Sequence, residues 1–172
     1  MGRHRPPCSL ASEESRLAGV ALRTWPFCGT VNRSKEVPTD QVARRVRVLL
    51  ADDSEEVIRE IERLMEPDFE IVGKVGNGVA LLEEIPRLRP DLIVTDLEMP
   101  GLNGIEASRA ALKVQPGLPI LLLTAHGDRH LAQEALNAGI SAYIQKFSAA
   151  EELIPAAYGA LLGNTFVSPG LR

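Results

Sequence analysis

The sequence predicts an α/β domain with a doubly wound parallel sheet, in which five strands alternate with five helices. From Val46 onward, short apolar runs alternate with amphipathic segments of helix length, a pattern typical of parallel strands joined by crossover helices. Three of the five apolar runs show almost no polar alternation, as expected of strands covered on both faces. Right-handed crossovers then arrange five such units as an open sheet with helices on both sides.

The strand candidates are short apolar runs separated by helix-length segments. They are Val46–Ala51, Phe69–Val75, Asp91–Thr95, Leu118–Leu123 and Ile140–Ile144. Between them, apolar residues at spacings of three and four predict helices with one buried face. The first helix has such a stripe at Ile58, Ile61, Leu64 and Met65, and the fourth has one at Leu131, Ala132, Ala135 and Leu136.

Polar residues at the predicted helix starts indicate where the helices begin. Ser54 can cap the first helix with its side-chain oxygen. Asn103 with Glu106, and Ser148 with Glu151, have the spacing of a capping box, in which two side chains each bond to a free backbone N–H. These residues predict the starts of the third and fifth helices.

Composition and charge limit the class of protein. The chain has 172 residues, of which 45% are hydrophobic, enough for one globular domain with a core and some additional chain. The net charge is −4, but residues 1–45 are basic and the rest is acidic. An acidic body disfavours nucleic acid, and a short basic tail gives little support for DNA contact. Because no apolar run approaches the roughly 18 residues that span a bilayer, we expect a cytoplasmic protein.

Residues 1–45 are predicted to be a disordered or loosely ordered extension. Several prolines and scattered charges lie in this range without helical or strand periodicity. Cys8 and Cys28 also lie there, too far apart for a metal-binding or redox pair of the CxxC type. We therefore interpret both cysteines as free thiols.

Five polar residues follow four of the predicted strands. Asp52 and Asp53 follow the first strand, Asp96 the third, Thr124 the fourth and Lys146 the fifth. Because the carboxyl ends of parallel strands meet at one edge of the sheet, we expect all five in one crevice. Three carboxylates held together repel one another and require a cation. Mg²⁺ suits this set, since it prefers oxygen ligands and keeps several waters.

This arrangement predicts phosphoryl transfer to Asp96. A carboxylate can act as a nucleophile and form an aspartyl phosphate. The transfer mainly requires positioning and neutralisation of charge on the phosphoryl oxygens. We expect Mg²⁺ to hold one oxygen, the Lys146 ammonium a second, and the Thr124 hydroxyl with nearby backbone N–H groups the third. Any one of these residues, taken alone, could be a helix cap or a solvated loop residue without a functional role. Chance does not explain why together they follow four different strands of one sheet.

Four motifs resemble response-regulator receiver domains of two-component systems, most closely the NarL/FixJ group. They are VLLADDSEEVIRE at 48–60, PDLIVTDLEMPGLNGIEA at 90–107, ILLLTAHGD at 120–128 and AYIQK at 142–146. The resemblance implies a flavodoxin-like receiver domain at residues 46–165. Residues 166–172 resemble a remnant of the linker that precedes a helix-turn-helix domain in that group.

The resemblance also implies roles for the acidic residues. Asp96 is the expected phosphorylation site. Asp53 is the expected direct ligand of Mg²⁺, Asp52 a ligand largely through water, and the backbone carbonyl of Glu98 another ligand, with Asp96 completing the set. Mg²⁺ is the only cofactor that we expect.

A conformational switch is implied by the same resemblance. Thr124 and Lys146 form the expected phosphate-sensing pair, and Tyr143 is expected to turn inward into the space that Thr124 vacates. Two residues depart from the family pattern. Phe147 follows Lys146 where proline is common, and Pro155 falls inside the fifth helix. Because proline lacks an N–H, we expect it to kink that helix or to delay its start.

The leading functional hypothesis is a stand-alone receiver that is phosphorylated on Asp96 by a histidine kinase or a phosphotransfer protein. It would catalyse only its own phosphorylation and dephosphorylation, and would signal through protein contacts, with homodimerisation on phosphorylation left open. No nucleic-acid or membrane binding is expected. One alternative is a truncated NarL/FixJ transcription regulator without its DNA-binding domain. Another is a phosphohydrolase with Asp96 as nucleophile and Glu98 as general acid.

Overall fold

The computed structural model describes residues 44–171. The predicted disorder of residues 1–43 and both cysteines therefore lie outside the described residues. Within the described range, six parallel strands form one sheet in the order β2-β1-β3-β4-β5-β6. The strands are β1 (Arg47–Ala51), β2 (Glu70–Val75), β3 (Leu92–Asp96), β4 (Ile120–Thr124), β5 (Ala142–Gln145) and β6 (Phe166–Val167).

Five α-helices connect the strands. They are α1 (Glu55–Met65), α2 (Gly78–Leu88), α3 (Gly104–Val114), α4 (Arg129–Asn137) and α5 (Ala149–Leu161). Among the helices of residues 44–171, none has both the length and the apolar character needed to cross a membrane. The alternation of strands and helices confirms the predicted doubly wound fold.

The core lies on both faces of the sheet, because alternate strand residues point to opposite sides. On one face, Val48 and Leu50 of β1 pack in a cluster with α1 and α5. On the other face, Leu49 of β1 packs with α2 and α3, and Tyr143 of β5 packs with α4. Strands β3 and β4 are buried along their whole length, which explains why their sequences lack polar alternation.

The sixth strand corrects the predicted count of five. Residues 166–172, which we interpreted as a linker remnant, include β6, which pairs in parallel with β5 through Phe166 opposite Ala142 and Val167 opposite Tyr143. A two-residue strand has too little sequence for a recognisable period. Its position depends on the neighbouring strand and is therefore invisible to a local pattern.

The predicted helix starts have mixed outcomes. Ser54 accepts a hydrogen bond from the Val57 N–H at 3.4 Å, and Asn103 accepts one from the Glu106 N–H at 2.9 Å, as expected of caps. The predicted capping box at Ser148 is wrong, because its hydroxyl donates to the Gln145 carbonyl at 3.1 Å instead. A short 3-10 turn over Lys146–Ser148 leads into α5 and brings this carbonyl within reach.

Pro155 does not delay the start of α5. The helix begins at Ala149 and includes Pro155 in its middle, so this part of the prediction is wrong. Proline offers no N–H to the carbonyl of Glu151, four residues earlier. The helix continues because Leu153, Ala156, Ala157 and Ala160 are buried against the sheet.

Candidate phosphoacceptor site

The carboxyl ends of four strands bring the predicted site residues to one edge of the sheet. β1 ends immediately before Asp52 and Asp53, β3 ends at Asp96, and β4 ends at Thr124. Lys146 follows β5 directly and opens the 3-10 turn. The strand ends are aligned by the register of the sheet, in which Ala51 lies opposite Thr95 and Asp96 lies opposite Leu123. The parallel sheet therefore assembles residues that are far apart in sequence.

Three carboxylates form a compact oxygen cluster at this edge. One oxygen each from Asp52, Asp53 and Asp96 lies within 4.8 Å of the others. Asp52 and Asp96 are each 4% exposed, whereas Asp53 is exposed to solvent. Asp52 is fixed by the Ser54 N–H, which donates to its Oδ1 at 2.9 Å. This donor set fits Mg²⁺, which takes one or two carboxylates and keeps water on its remaining positions.

Lys146 lies against the cluster. Its Nζ is 2.8 Å from Asp52 Oδ2 and 3.0 Å from Asp96 Oδ2. Burial alone would lower the pKa of this ammonium, but the hydrogen bonds to Asp52 and Asp96 and the negative charges of these two carboxylates together outweigh burial and raise the pKa. The side chain points inward although Phe147 replaces the usual proline, and residues 44–171 contain no cis peptide bond. Phe147 itself is 80% exposed.

Asp96 has an environment that disfavours its ionised form. Burial raises its pKa, and the hydrogen bond and charge of Lys146 oppose this effect without cancelling it. The charge of Asp52 adds to the rise. A bound divalent cation would change this balance, because it favours the carboxylate. A metal ion at this site would therefore favour the ionised form of Asp96.

Glu98 and His126 lie at the mouth of the site. Glu98 lines the cleft that also contains Asp53, Asp96 and Lys146. Its carboxylate is 3.4 Å from His126 Nδ1, and both side chains are largely exposed. Glu98 therefore lines the same cleft as the acidic cluster, and its role as a carbonyl ligand of Mg²⁺ stays a prediction.

Thr124 is buried at the end of β4, with 1% of its surface exposed. Its hydroxyl donates to the His126 carbonyl at 2.9 Å and accepts from the His126 N–H at 3.1 Å. The hydroxyl therefore holds the turn that begins the loop between β4 and α4. Any recruitment of this hydroxyl to a phosphoryl group requires the donated bond to break.

Tyr143 is fully buried next to Thr124 in the fold. Its hydroxyl has no hydrogen-bond partner of normal geometry within residues 44–171. Burial raises its pKa, and the nearby Thr124 side chain opposes the rise, although the contact does not meet hydrogen-bond geometry. An unpartnered buried hydroxyl carries a desolvation cost. The side chain of Tyr143 thus points into the core with the hydrogen-bonding capacity of its hydroxyl unused among the described residues.

Gly104 and Arg109 were missed by the sequence reasoning. A Cβ on Gly104 would lie 2.1 Å from the backbone oxygen of Asp96, so α3 starts in direct contact with the site backbone. Arg109 of α3 forms an ion pair with Glu134 of α4 at 2.9 Å, across the same cleft. The position of Gly104, directly after the capping residue Asn103, could have indicated a close contact at the start of α3. No local pattern in the sequence indicates that Arg109 pairs with Glu134.

Comparisons with known proteins agree with this architecture. Residues 48–158 match the model of the response regulator receiver domain. The transcriptional regulatory protein DegU of Brevibacillus brevis is 30% identical over 127 residues, which are 73% of this chain and 54% of DegU. A protein-glutamate methylesterase/protein-glutamine glutaminase of Nocardioides sp. is 38% identical over 105 residues, 59% of this chain and 29% of that enzyme. The chain thus matches about half or less of these relatives.

A solved structure gives the same result. A two-component response regulator of the LuxR family from Aurantimonas sp. SI85-9A1 superimposes with a TM-score of 0.71 and 32% sequence identity. The alignment covers 74% of this chain and 93% of that one. The family match at residues 48–158 includes all three carboxylates of the acidic cluster and Lys146. The chain belongs to the response regulator receiver domain family of two-component systems.

Proposed function

We propose that this chain is a phosphoacceptor that takes a phosphoryl group on Asp96 from a histidine kinase or a phosphotransfer protein. The observation that carries the proposal is the convergence of three carboxylates within 4.8 Å, with the Lys146 ammonium 3.0 Å from Asp96. An oxygen of Asp96 bonds to the phosphorus of a phosphohistidine as the P–N bond breaks. The imidazole leaves with the bonding electron pair and takes up a proton.

Mg²⁺ is the cofactor proposed for this step. Asp53 and Asp96 would hold it directly, Asp52 largely through water, and the Glu98 carbonyl would supply another ligand. When bound, it neutralises charge on the phosphoryl group and on the carboxylates. Lys146 holds a second phosphoryl oxygen, and the Thr124 hydroxyl binds a third after it leaves the His126 carbonyl.

The output proposed for this phosphorylation is a change in protein contacts. Thr124 and Tyr143 are the proposed switch pair. Tyr143 is already fully buried while Thr124 is bonded to His126, so the inward turn predicted from the resemblance is not required, and movement of the Thr124 hydroxyl would change the packing of a ring that is already inside. Partners are the phosphodonor and an output protein in the cytoplasm, and nucleic acid and membranes are not partners of this domain. Beyond its own phosphorylation and dephosphorylation, we assign no catalysis to residues 46–165.

Intact mass spectrometry tests this proposal. The protein is incubated with acetyl phosphate, or a phosphoramidate, with and without Mg²⁺, beside the variants Asp96→Asn and Asp68→Asn. We expect one phosphoryl adduct that requires Mg²⁺, disappears in Asp96→Asn and persists in Asp68→Asn, because Asp68 lies in the loop before β2, away from the cluster. Absence of the adduct from folded parent protein with Mg²⁺ would mean that the domain works as a scaffold.

A second candidate is a receiver portion of a NarL/FixJ-type transcription regulator. The likeness to DegU and to a LuxR-family regulator favours it, as does the fact that the match covers 54% of DegU. The site chemistry is the same in both cases. The genomic sequence downstream of Arg172 separates them, because a helix-turn-helix domain there supports a DNA-binding output and its absence contradicts it.

A further inference from the structure

Residues 166–171, called the C-terminal segment below, are fastened to the edge of β5. The Phe166 N–H donates to the Ser141 carbonyl at 2.9 Å, and the Ser168 N–H donates to the Tyr143 carbonyl at 3.0 Å. Without this segment, β5 would be the outer strand of the sheet. The C-terminal segment thus covers the strand that carries the buried Tyr143.

Ser168 ties the C-terminal segment to two other elements. It is 1% exposed, and its hydroxyl accepts the Gln145 N–H at 3.0 Å. The same hydroxyl donates to the Glu152 carboxylate of α5. Gln145 immediately precedes Lys146, so this bond fixes the backbone beside the candidate phosphoacceptor site.

Leu171 reaches the loop between β4 and α4. It is 8% exposed and packs in the same apolar cluster as Tyr143. A Cβ on Gly127 would lie 2.8 Å from Leu171 Cδ2 and 2.4 Å from Gln145 Nε2. Gly127 of this loop therefore packs directly against Leu171, and a side chain at position 127 would require Leu171 and Gln145 to shift.

The same loop contains the partner of Thr124. The Thr124 hydroxyl donates to the carbonyl of His126, which is the residue before Gly127. Recruitment of this hydroxyl to a phosphoryl group on Asp96 would break that bond and shift the loop. A shift at His126 changes the position of the neighbouring Gly127 and with it the close contact between Gly127 and Leu171.

We propose that the C-terminal segment is docked while Asp96 is unphosphorylated and that phosphorylation releases it, which uncovers the edge of β5. This inference rests on the proposed function, because it takes Asp96 as the phosphoacceptor. Coupling between two sites is reciprocal. A substitution that undocks the segment therefore also favours the loop conformation of the phosphorylated state and tightens equilibrium binding of a phosphoryl analogue, beryllofluoride, at Asp96.

Hydrogen exchange with mass spectrometry tests the release in the full chain. Peptides covering residues 166–171 are followed before and after treatment with acetyl phosphate and Mg²⁺, and the intact mass of the same sample gives the phosphorylated fraction. We expect exchange in this segment to accelerate about 5- to 150-fold on phosphorylation, the range of typical coupling. Peptides from β1 should keep their exchange rates.

Two variants test the coupling from the other side. Gly127→Ala places a Cβ within 2.8 Å of Leu171 Cδ2 and 2.4 Å of Gln145 Nε2, so these side chains must shift, whereas its control Gly159→Ala meets its nearest neighbouring atom at 3.9 Å. Leu171→Asp places a charge in the apolar cluster in which Leu171 packs, and its control Leu162→Asp changes a leucine that is 67% exposed. In both test variants, the unphosphorylated segment should exchange faster, and the affinity for beryllofluoride in the presence of Mg²⁺, measured by equilibrium titration, should rise at least about fivefold. Both controls should match the parent.

The outcomes separate this inference from the proposed function. Protection of residues 166–171 that is unchanged or increased in a sample carrying one phosphoryl group overturns the release and leaves the phosphoacceptor role intact. Folded test variants that undock the segment without tighter binding of beryllofluoride overturn the coupling. If no adduct forms with any donor, the proposed function fails and the inference fails with it.

Discussion

At the scale of single residues, the contact between Gly104 and Asp96 determines how closely α3 can approach the site. The Gly104 N–H donates to the Leu97 carbonyl at 2.9 Å, which fixes the start of the helix directly behind Asp96. Gly104 contacts the backbone of Asp96. Its contribution to the site therefore depends on its small size and not on a functional group.

Gly104→Ala is expected to destabilise the domain and to displace Asp96. The new Cβ would lie 2.1 Å from a backbone oxygen, which cannot rotate away as a side chain can. We expect a loss of about 1–3 kcal/mol in the free energy of unfolding, measured by urea titration, together with slower phosphoryl uptake. Gly76→Ala is the control, because its nearest neighbouring atom would be at 3.9 Å. Equal stability of the two variants would contradict the tight contact.

Asp96→Asn is expected to stabilise the metal-free domain at neutral pH. Burial raises the pKa of Asp96 above its ordinary value, so the folded state binds its proton more tightly than the unfolded state does. Stability therefore falls as the pH rises from the unfolded pKa through the folded one. The variant removes this loss, and its melting temperature should exceed that of the parent above this window and match it below.

Thermal melts from acidic to neutral pH, in the presence of a chelator, check this expectation. Each kcal/mol corresponds to roughly 2–4 °C or slightly more in a domain of this size. A variant that melts below the parent at neutral pH would show that the ion pair with Lys146 outweighs the burial of the carboxylate.

At the scale of secondary-structure elements, the caps show which local signals are reliable. Side-chain caps at Ser54 and Asn103 follow their sequence patterns. Ser148 has the same pattern but is the last residue of the 3-10 turn, which brings its hydroxyl within reach of the Gln145 carbonyl. The pattern therefore fails where the backbone at the cap residue already forms a turn.

Substitution of Asn77 should cost more than substitution of Ser148. Asn77 caps α2 by accepting from the Ala80 N–H at 2.8 Å, whereas Ser148 bonds to no N–H of α5. We expect Asn77→Ala to lower the free energy of unfolding by about 1 kcal/mol and Ser148→Ala by less. Denaturant titrations of the two variants make the comparison. A larger loss for Ser148→Ala would assign that hydroxyl an unrecognised structural role.

At the scale of the whole molecule, the acidic cluster couples metal binding to the stability of the sheet. Its carboxylates lie at the carboxyl ends of β1 and β3, which are neighbouring interior strands of the sheet. A ligand that binds only the folded state stabilises it in proportion to the logarithm of its concentration above Kd. Metal binding at this site should therefore change the free energy of unfolding of the entire domain.

Mg²⁺ is expected to raise the melting temperature in a concentration-dependent way. At one hundred times Kd the gain is about 2.7 kcal/mol, and scanning calorimetry with and without a chelator measures it. Asp53→Asn should remove most of the gain, because Asp53 belongs to the oxygen cluster. Glu151→Gln, an exposed residue in the first turn of α5, should not. A gain that survives Asp53→Asn would place the metal elsewhere.

The sequence predicts the fold and the approximate position of the site because both follow from local patterns. Apolar runs locate β1 to β5 within one or two residues, and the residues after four of these strands include Asp96 and Lys146. β6 and the pairing of Arg109 with Glu134 escape prediction. Each of them depends on a partner that is distant in the chain, and neither leaves a periodic signal.

The different burial of the two tyrosines has a kinetic consequence. Tyr158 is 45% exposed, whereas Tyr143 is wholly enclosed, and burial raises the pKa of both phenols. In a jump to strongly alkaline solution, Tyr158 can lose its proton to hydroxide while the domain stays folded. Tyr143 can do so only when the core opens. The ultraviolet signal of phenolate formation therefore has a fast and a slow phase, and the slow one records how often the core opens to solvent.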